Sequence, residues 1–272
     1  MPLREKGVYL TKALGRRVVW GPSDLAHRLR GDRTPPRGLS FVGRGDFEAT
    51  GREFAGFFTE LGGLQPGDRV LDLGCGIGRM ALPLTEYLED GSYAGFDVGR
   101  EMIRWCDRHI TPRHPNFEFS WVPVYNGKYN PFGTLAAAEY RFPYEDSSFD
   151  FAFATSLFTH LFRDDVSHYL AETARVLKPG GTGLFTFFLL TPEAEREVAA
   201  GRAKFPFAHR LDSGESVIDP RRPEEAVAFR PEDVSSMLAA AGLALEEPLH
   251  PGFWADPNGR TLQDIVVARR PA

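Results

Sequence analysis

With two cysteines among 272 residues, the chain has no material for a disulfide framework or a thiolate metal cluster. Cys75 and Cys106 are read as small buried residues. Long apolar runs are missing as well. The longest, 183–190, falls far short of the roughly 18 residues that cross a bilayer, so no transmembrane helix and no membrane partner is expected. The first residues carry Arg4, Glu5, Lys6, Lys12, Arg16 and Arg17 without a continuous apolar segment. That is not the pattern of a secretory signal, and a cytoplasmic protein is expected. No Gly-Lys-Ser/Thr P-loop occurs, and no His/Asp/Glu spacing is specific enough to predict a metal. No metal ligand is assigned, and a metal-assisted acceptor site stays open because scattered acids can converge in space.

What is present is an ordinary globular composition, 42% apolar and 25% charged, with room for a substantial core. Charge is uneven. Residues 1–45 hold 10 Lys or Arg against 3 acids, while the other 227 residues hold 22 against 34. A basic arm, 1–45, is therefore expected ahead of an acidic domain, 46–272. The arm could attract an anion or a nucleic acid, or lie against its own domain or a neighbouring subunit. It lacks the aromatic interleaving of a single-strand binder, so nucleic acid is not the expected partner. The sequence leaves room for a homo-oligomer.

From Asp46 the pattern becomes regular. Phe47, Phe54, Phe57, Phe58 and Leu61 recur at helical spacing before Gly62-Gly63. Short apolar runs then alternate with helices: strands 69–73, 92–97, 117–122, 149–155 and 182–189, helices 78–89, 99–109, 164–177 and 231–241. Such alternation predicts a doubly wound, mostly parallel sheet with helices on both faces. Strands 244–250 and 262–269 follow with no helix between them, so they pair antiparallel. Two stretches exceed the minimal repeat, 123–141 and 190–230, and are expected to be lids or binding loops.

Val70-Leu71-Asp72-Leu73-Gly74-Cys75-Gly76-Ile77-Gly78 carries most of the functional information. An apolar run ending in a glycine turn brings bare backbone against a ligand. A dinucleotide site wants its third glycine where Arg79 stands, which argues against an NAD-dependent oxidoreductase. Phe142-Pro143-Tyr144-Glu145-Asp146-Ser147-Ser148-Phe149-Asp150 and Leu177-Lys178-Pro179-Gly180-Gly181 follow in order. Together these motifs resemble those of the Rossmann-like (class I) S-adenosylmethionine (SAM) methyltransferases of small-molecule type, over about residues 65–190. The resemblance implies seven strands with an antiparallel last one, an N-terminal cap, and SAM as cofactor with S-adenosylhomocysteine as product.

In that family Asp72, Gly74, Cys75, Gly76 and Gly78 would pass under the methionine and ribose. Asp97, 25 residues after Asp72, would accept the ribose hydroxyls, or else cap the helix that begins near Gly99. Val98 and Met102 stand at the positions that flank adenine, although plain helix packing would also place Met102 there. Many relatives carry an aspartate where this chain has Ala138. The adjacent Glu139 could take its place, or backbone groups alone could hold the adenine amino group. Thr155, closing the fourth strand, joins the cofactor set. Arg44, ahead of the cap helix, is a candidate for the methionine carboxylate; its alternative is a surface arginine before an N-cap Asp46.

His160, just after the fourth strand, could remove a proton from a hydroxyl as methyl transfers, or could simply pack. Tyr125, Tyr129, His209, His250 and Trp254 are substrate-pocket candidates on loops. The expected activity is methyl transfer to a small-molecule hydroxyl, on a sugar-containing or other secondary metabolite. N-methylation, nucleic-acid methylation through the basic arm, and SAM binding without catalysis are the alternatives.

Overall fold

The computed structural model describes residues 46–272 apart from 128, together with positions 7, 11, 34–36 and 39. Most of the expected basic arm, Arg44 included, lies outside the described residues. Two compact units divide the chain, Met1–Ala136 and Ala137–Ala272.

The first unit opens with helix α1 (Phe47–Glu60), whose start Asp46 caps by accepting a hydrogen bond from Ala49 N at 2.8 Å. Strands β1 (Arg69–Leu73), β2 (Ser92–Asp97) and β3 (Phe117–Trp121) follow, all parallel. Leu71 and Leu73 are fully buried, and consecutive residues Tyr93, Ala94, Gly95 and Phe96 of β2 are buried too, because the sheet is covered on both faces. Helix α3 (Arg100–His109) buries Met102, Ile103, Trp105 and Cys106 at helical spacing, after the short α2 (Ala81–Leu84). The expected helix 78–89 is thus reduced to one α-turn followed by tighter turns. Pro83 has no N–H to offer the Arg79 carbonyl, and Glu86 N and Tyr87 N bond three residues back, to Pro83 O and Leu84 O.

The second unit contains β4 (Phe149–Ala154), α4 (Arg163–Val176), β5 (Leu177–Phe187), α5 (Pro192–Ala199), the short β6 (His209–Arg210), β7 (Ser216–Val217) and β8 (Val227–Ala228), α6 (Pro231–Ala240), β9 (Ala244–His250) and β10 (Asp264–Arg269). β4 and β5 are parallel, and β10 runs antiparallel between β5 and β9. The full order is β3-β2-β1-β4-β5-β10-β9 in one seven-stranded sheet, the expected α/β architecture. The Lys178-Pro179-Gly180-Gly181 stretch forms a bulge within β5. Phe149 pairs with Leu177 but Phe151 with Thr182, and Gly180 adopts φ +80° there.

The 190–230 insertion is ordered rather than a bare loop. It comprises α5 and a three-stranded antiparallel sheet, β6-β7-β8. Beneath it lies a second apolar cluster that includes Phe188, Phe207, Ala226, Ala228 and Trp254. A carboxylate fastens the insertion to α4. Glu215, fully buried, accepts from Arg163 N at 2.5 Å where Phe162 supplies no cap of its own. The Arg163 side chain in turn donates to Ser213 O at 3.1 Å and to Asp233 at 2.7 Å. Glu215→Ala is expected to lower stability by about 0.5–2 kcal/mol, the usual worth of a helix cap. Urea unfolding measures this, and an unchanged midpoint would show that the insertion is not fastened at that point.

Candidate functional site

The geometry centres on the turn after β1. Gly74, Gly76 and Gly78 take φ of +78°, +55° and +76°, a left-handed alternation that L side chains resist. Gly74 N and Cys75 N both donate to Phe96 O, at 2.9 and 3.0 Å, tying the turn to β2. Gly78 has a second constraint, since a Cβ there would meet Ile110 Cδ1 at 2.8 Å. At Gly76 a Cβ would meet nothing within 4 Å, so the backbone faces open space.

Asp97 joins the elements around this turn. Its Oδ2 accepts from Gly76 N at 2.9 Å and its Oδ1 from Gly99 N at 2.6 Å. The side chain therefore braces both the glycine turn and the start of α3, and its capping reading is present in the geometry. Burial raises the Asp97 pKa, opposed by the N–H donors of Gly99 and Gly76. Asp72 lies deeper. Tyr93 Oη donates to its Oδ2 at 2.5 Å, while Oδ1 is buried with no hydrogen-bond partner among the described residues. Burial pushes its carboxyl up to about 8; the Tyr93 bond opposes the rise and the Asp97 charge adds to it. Cys75 is buried beneath the turn, where its Cβ packs against Gly95.

Val98 is half-buried, and Met102, buried, folds over Gly99. Beside them stands Trp121, absent from the residues expected from sequence. It pairs with Asp97 across β2 and β3, donates its indole N–H to Val98 O at 3.0 Å, and lies under the Arg100 guanidinium at 4.8 Å. At 38% exposure it is a large aromatic surface left open next to Asp97. The available signal was an aromatic residue at the carboxyl end of a strand. α1 packs close to the turn: a Cβ at Gly51 would meet Arg79 O at 2.5 Å, and the Arg79 guanidinium sits 5.4 Å from the Phe47 ring. In the first insertion, Asn126 and Asn130 exchange backbone bonds of 3.1 and 2.9 Å around half-buried Tyr129, and half-buried Tyr125 donates its backbone N–H to Leu135 O at 2.7 Å.

In the second unit Thr155 is half-buried after β4, and the next residue, Ser156, adopts φ +57°. Ser156 N donates to Thr186 Oγ1 at 2.8 Å and Ser156 Oγ to Gln263 Oε1 at 3.0 Å, which hold this strained conformation. His160 follows in a short 3₁₀ turn, with Nδ1 2.9 Å from Glu224 O. A carbonyl only accepts, so Nδ1 carries the proton in the neutral ring and Nε2 carries the lone pair. Glu139 and His209 are exposed. Trp254 stands on the loop between β9 and β10 but is turned inward. It is 1% exposed, its Nε1 donates to Asp264 Oδ2 at 2.8 Å, and its ring packs on Phe188 and Phe207. An indole whose polar edge is satisfied internally gains more from burial than from an open loop. Among the described residues no group of three His, Cys, Asp or Glu could hold a metal, and no helix is long and apolar enough to cross a membrane.

Residues 71–185 match the family model described as "Methyltransferase domain". This segment is a class I, SAM-dependent methyltransferase domain. The methyltransferase domain is 35% identical over 125 residues to a phthiotriol/phenolphthiotriol dimycocerosates methyltransferase of Mycobacterium ulcerans, covering 44% of this chain and 37% of that protein. It is 30% identical over 151 residues to the 27-O-demethylrifamycin SV methyltransferase of Amycolatopsis mediterranei, covering 51% of this chain and 48% of that protein. The chain thus spans less than half the length of either relative. Its fold is similar to that of the 1,6-didemethyltoxoflavin-N1-methyltransferase of Burkholderia thailandensis, solved with S-adenosylhomocysteine. That likeness has TM-score 0.51 and 17% identity, over 83% of this chain and 80% of that one.

The buried Asp72 makes the methyltransferase domain sensitive to pH. Its folded pKa of about 8 lies above the ordinary 3.8, so between these values the folded state keeps a proton that the unfolded chain releases, and stability falls as pH rises. Asp72→Asn is expected to gain stability over the parent progressively from about pH 4 to about pH 8. The gain levels off above that range. Cofactor-free thermal melts across the range test this, and a constant difference at every pH would contradict it.

Proposed function

We propose that this protein transfers the methyl group of SAM to a hydroxyl of a small molecule, a sugar-containing or other secondary metabolite, in the cytoplasm. Residues 46–272 act as the catalytic domain in this reading, and 123–141 and 190–230 are its acceptor-side insertions. The observation that carries the hydroxyl is the His160 tautomer. With Nδ1 donating to Glu224 O, Nε2 is the basic nitrogen, the form a general base needs to accept a hydroxyl proton. The resemblance to a named rifamycin O-methyltransferase supports the same choice.

The residues present suit the cofactor. SAM offers an ammonium, a carboxylate, two ribose hydroxyls and an adenine. Asp72 Oδ1, buried and unsatisfied among the described residues, is suited to a donor such as that ammonium. Gly76 leaves its backbone open to close approach. Asp97, already oriented by two N–H groups, has acceptor capacity remaining for ribose hydroxyls. Val98, Met102 and the exposed Trp121 ring offer apolar surface to adenine. Glu139 and Thr155 remain in the proposed cofactor set, and Tyr125, Tyr129 and His209 in the acceptor set.

Bound SAM supplies a methyl group already activated by its sulfonium. What the chain adds is alignment and a proton acceptor. Asp97 and the glycine turn orient, and His160 Nε2 takes the acceptor proton as the new O–C bond forms and the C–S bond breaks.

Calorimetric titration with SAM and S-adenosylhomocysteine is expected to show micromolar binding, weakened at least about 30-fold by Asp97→Ala, consistent with loss of charged hydrogen bonds worth about 1.5–3 kcal/mol each. Failure to bind either ligand, or a preference for NAD, would overturn the reading. With an acceptor in hand, His160→Ala is expected to lower kcat about 10²- to 10⁴-fold with cofactor affinity unchanged. A variant with parental kcat would remove His160 as the base and with it the support for a hydroxyl acceptor.

A further inference from the structure

A cleft of about 470 Å³ opens in the second unit between α5, the end of β9 and the start of β10. Ligand pockets fall in this size range. Its location follows from sheet register: Asp264, the first residue of β10, pairs with Phe187, the last of β5. The cleft therefore lies at the carboxyl end of β5, the end at which open α/β sheets bind ligands. Leu189, Ala194, Leu249 and Pro251 supply apolar wall.

The charged lining is one-sided. Glu193, Glu197, Asp256 and Asp264 face the cleft against one guanidinium, Arg196, and one imidazole, His250. Glu193 engages Arg196 at 2.8 Å, and Glu197 engages Arg202 at 2.6 Å. Asp264 differs from these surface pairs. It is 4% exposed and accepts from three neutral donors: Gly252 N at 2.7 Å, Leu189 N at 2.7 Å and Trp254 Nε1 at 2.8 Å. Burial pushes its carboxyl up to about 6, opposed by those three N–H groups, so at neutral pH it remains mostly ionised. An oriented carboxylate with only neutral donors, in a low-dielectric wall, attracts a cation more strongly than an exposed one. It is held from two separate segments: Leu189, just past the end of β5, and the 252–254 turn, which supplies both Gly252 N and the buried Trp254 indole.

We propose that this cleft is the acceptor-anchoring pocket, and that the acceptor is an amine-bearing amphiphile whose ammonium faces Asp264 while its apolar body lies against Leu189, Ala194 and Leu249. This rests on the methyl-transfer reading above and deepens it: the ammonium serves as the handle and a hydroxyl elsewhere on the molecule receives the methyl.

The test uses the full chain and two matched probes, phenethylamine and its neutral counterpart 2-phenylethanol, titrated by protein-observed NMR. Phenethylamine is expected to bind at least 10-fold tighter than the alcohol, with shifts at Ala194, Leu249 and Gly252. Asp264→Asn should abolish that preference. Because its three hydrogen bonds are structural, Ala255→Phe provides a second variant, filling the cleft from a half-buried position without touching them; it should weaken both probes at least 10-fold. Equal binding of the two probes, no binding, or binding undiminished by Ala255→Phe would overturn the proposal. Once an acceptor is found, phenethylamine should compete with it, and non-competitive behaviour would place the cleft outside the acceptor pocket. SAM titration of the same samples separates the two claims: no SAM binding with the amine preference intact would sink the methyl-transfer reading, and with it the cleft's role toward an acceptor, while leaving the ammonium site itself.

Discussion

The Asp97 carboxylate bridges two backbone N–H groups that belong to different elements, Gly76 in the turn after β1 and Gly99 at the start of α3. Most of the geometry of the first unit depends on that bridge. The turn adopts three left-handed conformations in five residues, which leaves its N–H groups pointing in directions that no regular ladder satisfies. A carboxylate at the end of the neighbouring strand supplies the missing acceptor. Register makes this possible, since Leu73, the last residue of β1, pairs with Phe96, and β2 runs one residue further to Asp97.

The second unit uses the same device at a larger scale. Glu215, from the long insertion, accepts the N-terminal Arg163 N of α4, and Glu224 O, from the same insertion, accepts the His160 ring N–H. An added segment therefore positions residues directly after β4. The Phe188, Phe207 and Trp254 cluster gives the insertion a core of its own, so these hydrogen bonds hang on a packed body rather than on a free loop. Asp264 links that core to the sheet by accepting from the Trp254 indole and from Leu189 N.

Much of the fold was legible because its signals are local. The glycine alternation, the apolar strand runs and Asp46 as a cap all act within a few residues. The antiparallel ending was legible because two strands without a connecting helix have no other way to pair. Helix 78–89 failed for a reason visible only in the bonding: Pro83 and the left-handed Gly78 leave one α-turn where apolar periodicity suggests three. The burial of Trp254 was not legible because nothing local distinguishes an aromatic residue on an exposed loop from one that folds back on Phe188. Trp121 was missed because its exposure depends on what its neighbours leave uncovered, not on the strand pattern that contains it.

The sequence by itself determined the class of sheet, the glycine turn and the acid at the end of the second strand, because periodicity, conformational freedom and short-range spacing are properties of a few consecutive residues. Only the tertiary structure decided the protonated nitrogen of His160, the buried and unsatisfied oxygen of Asp72, and the joining of α5, β9 and β10 around Asp264. Each of these is a contact between residues distant in the chain, and desolvation and hydrogen-bond partnership exist only once such segments are packed together.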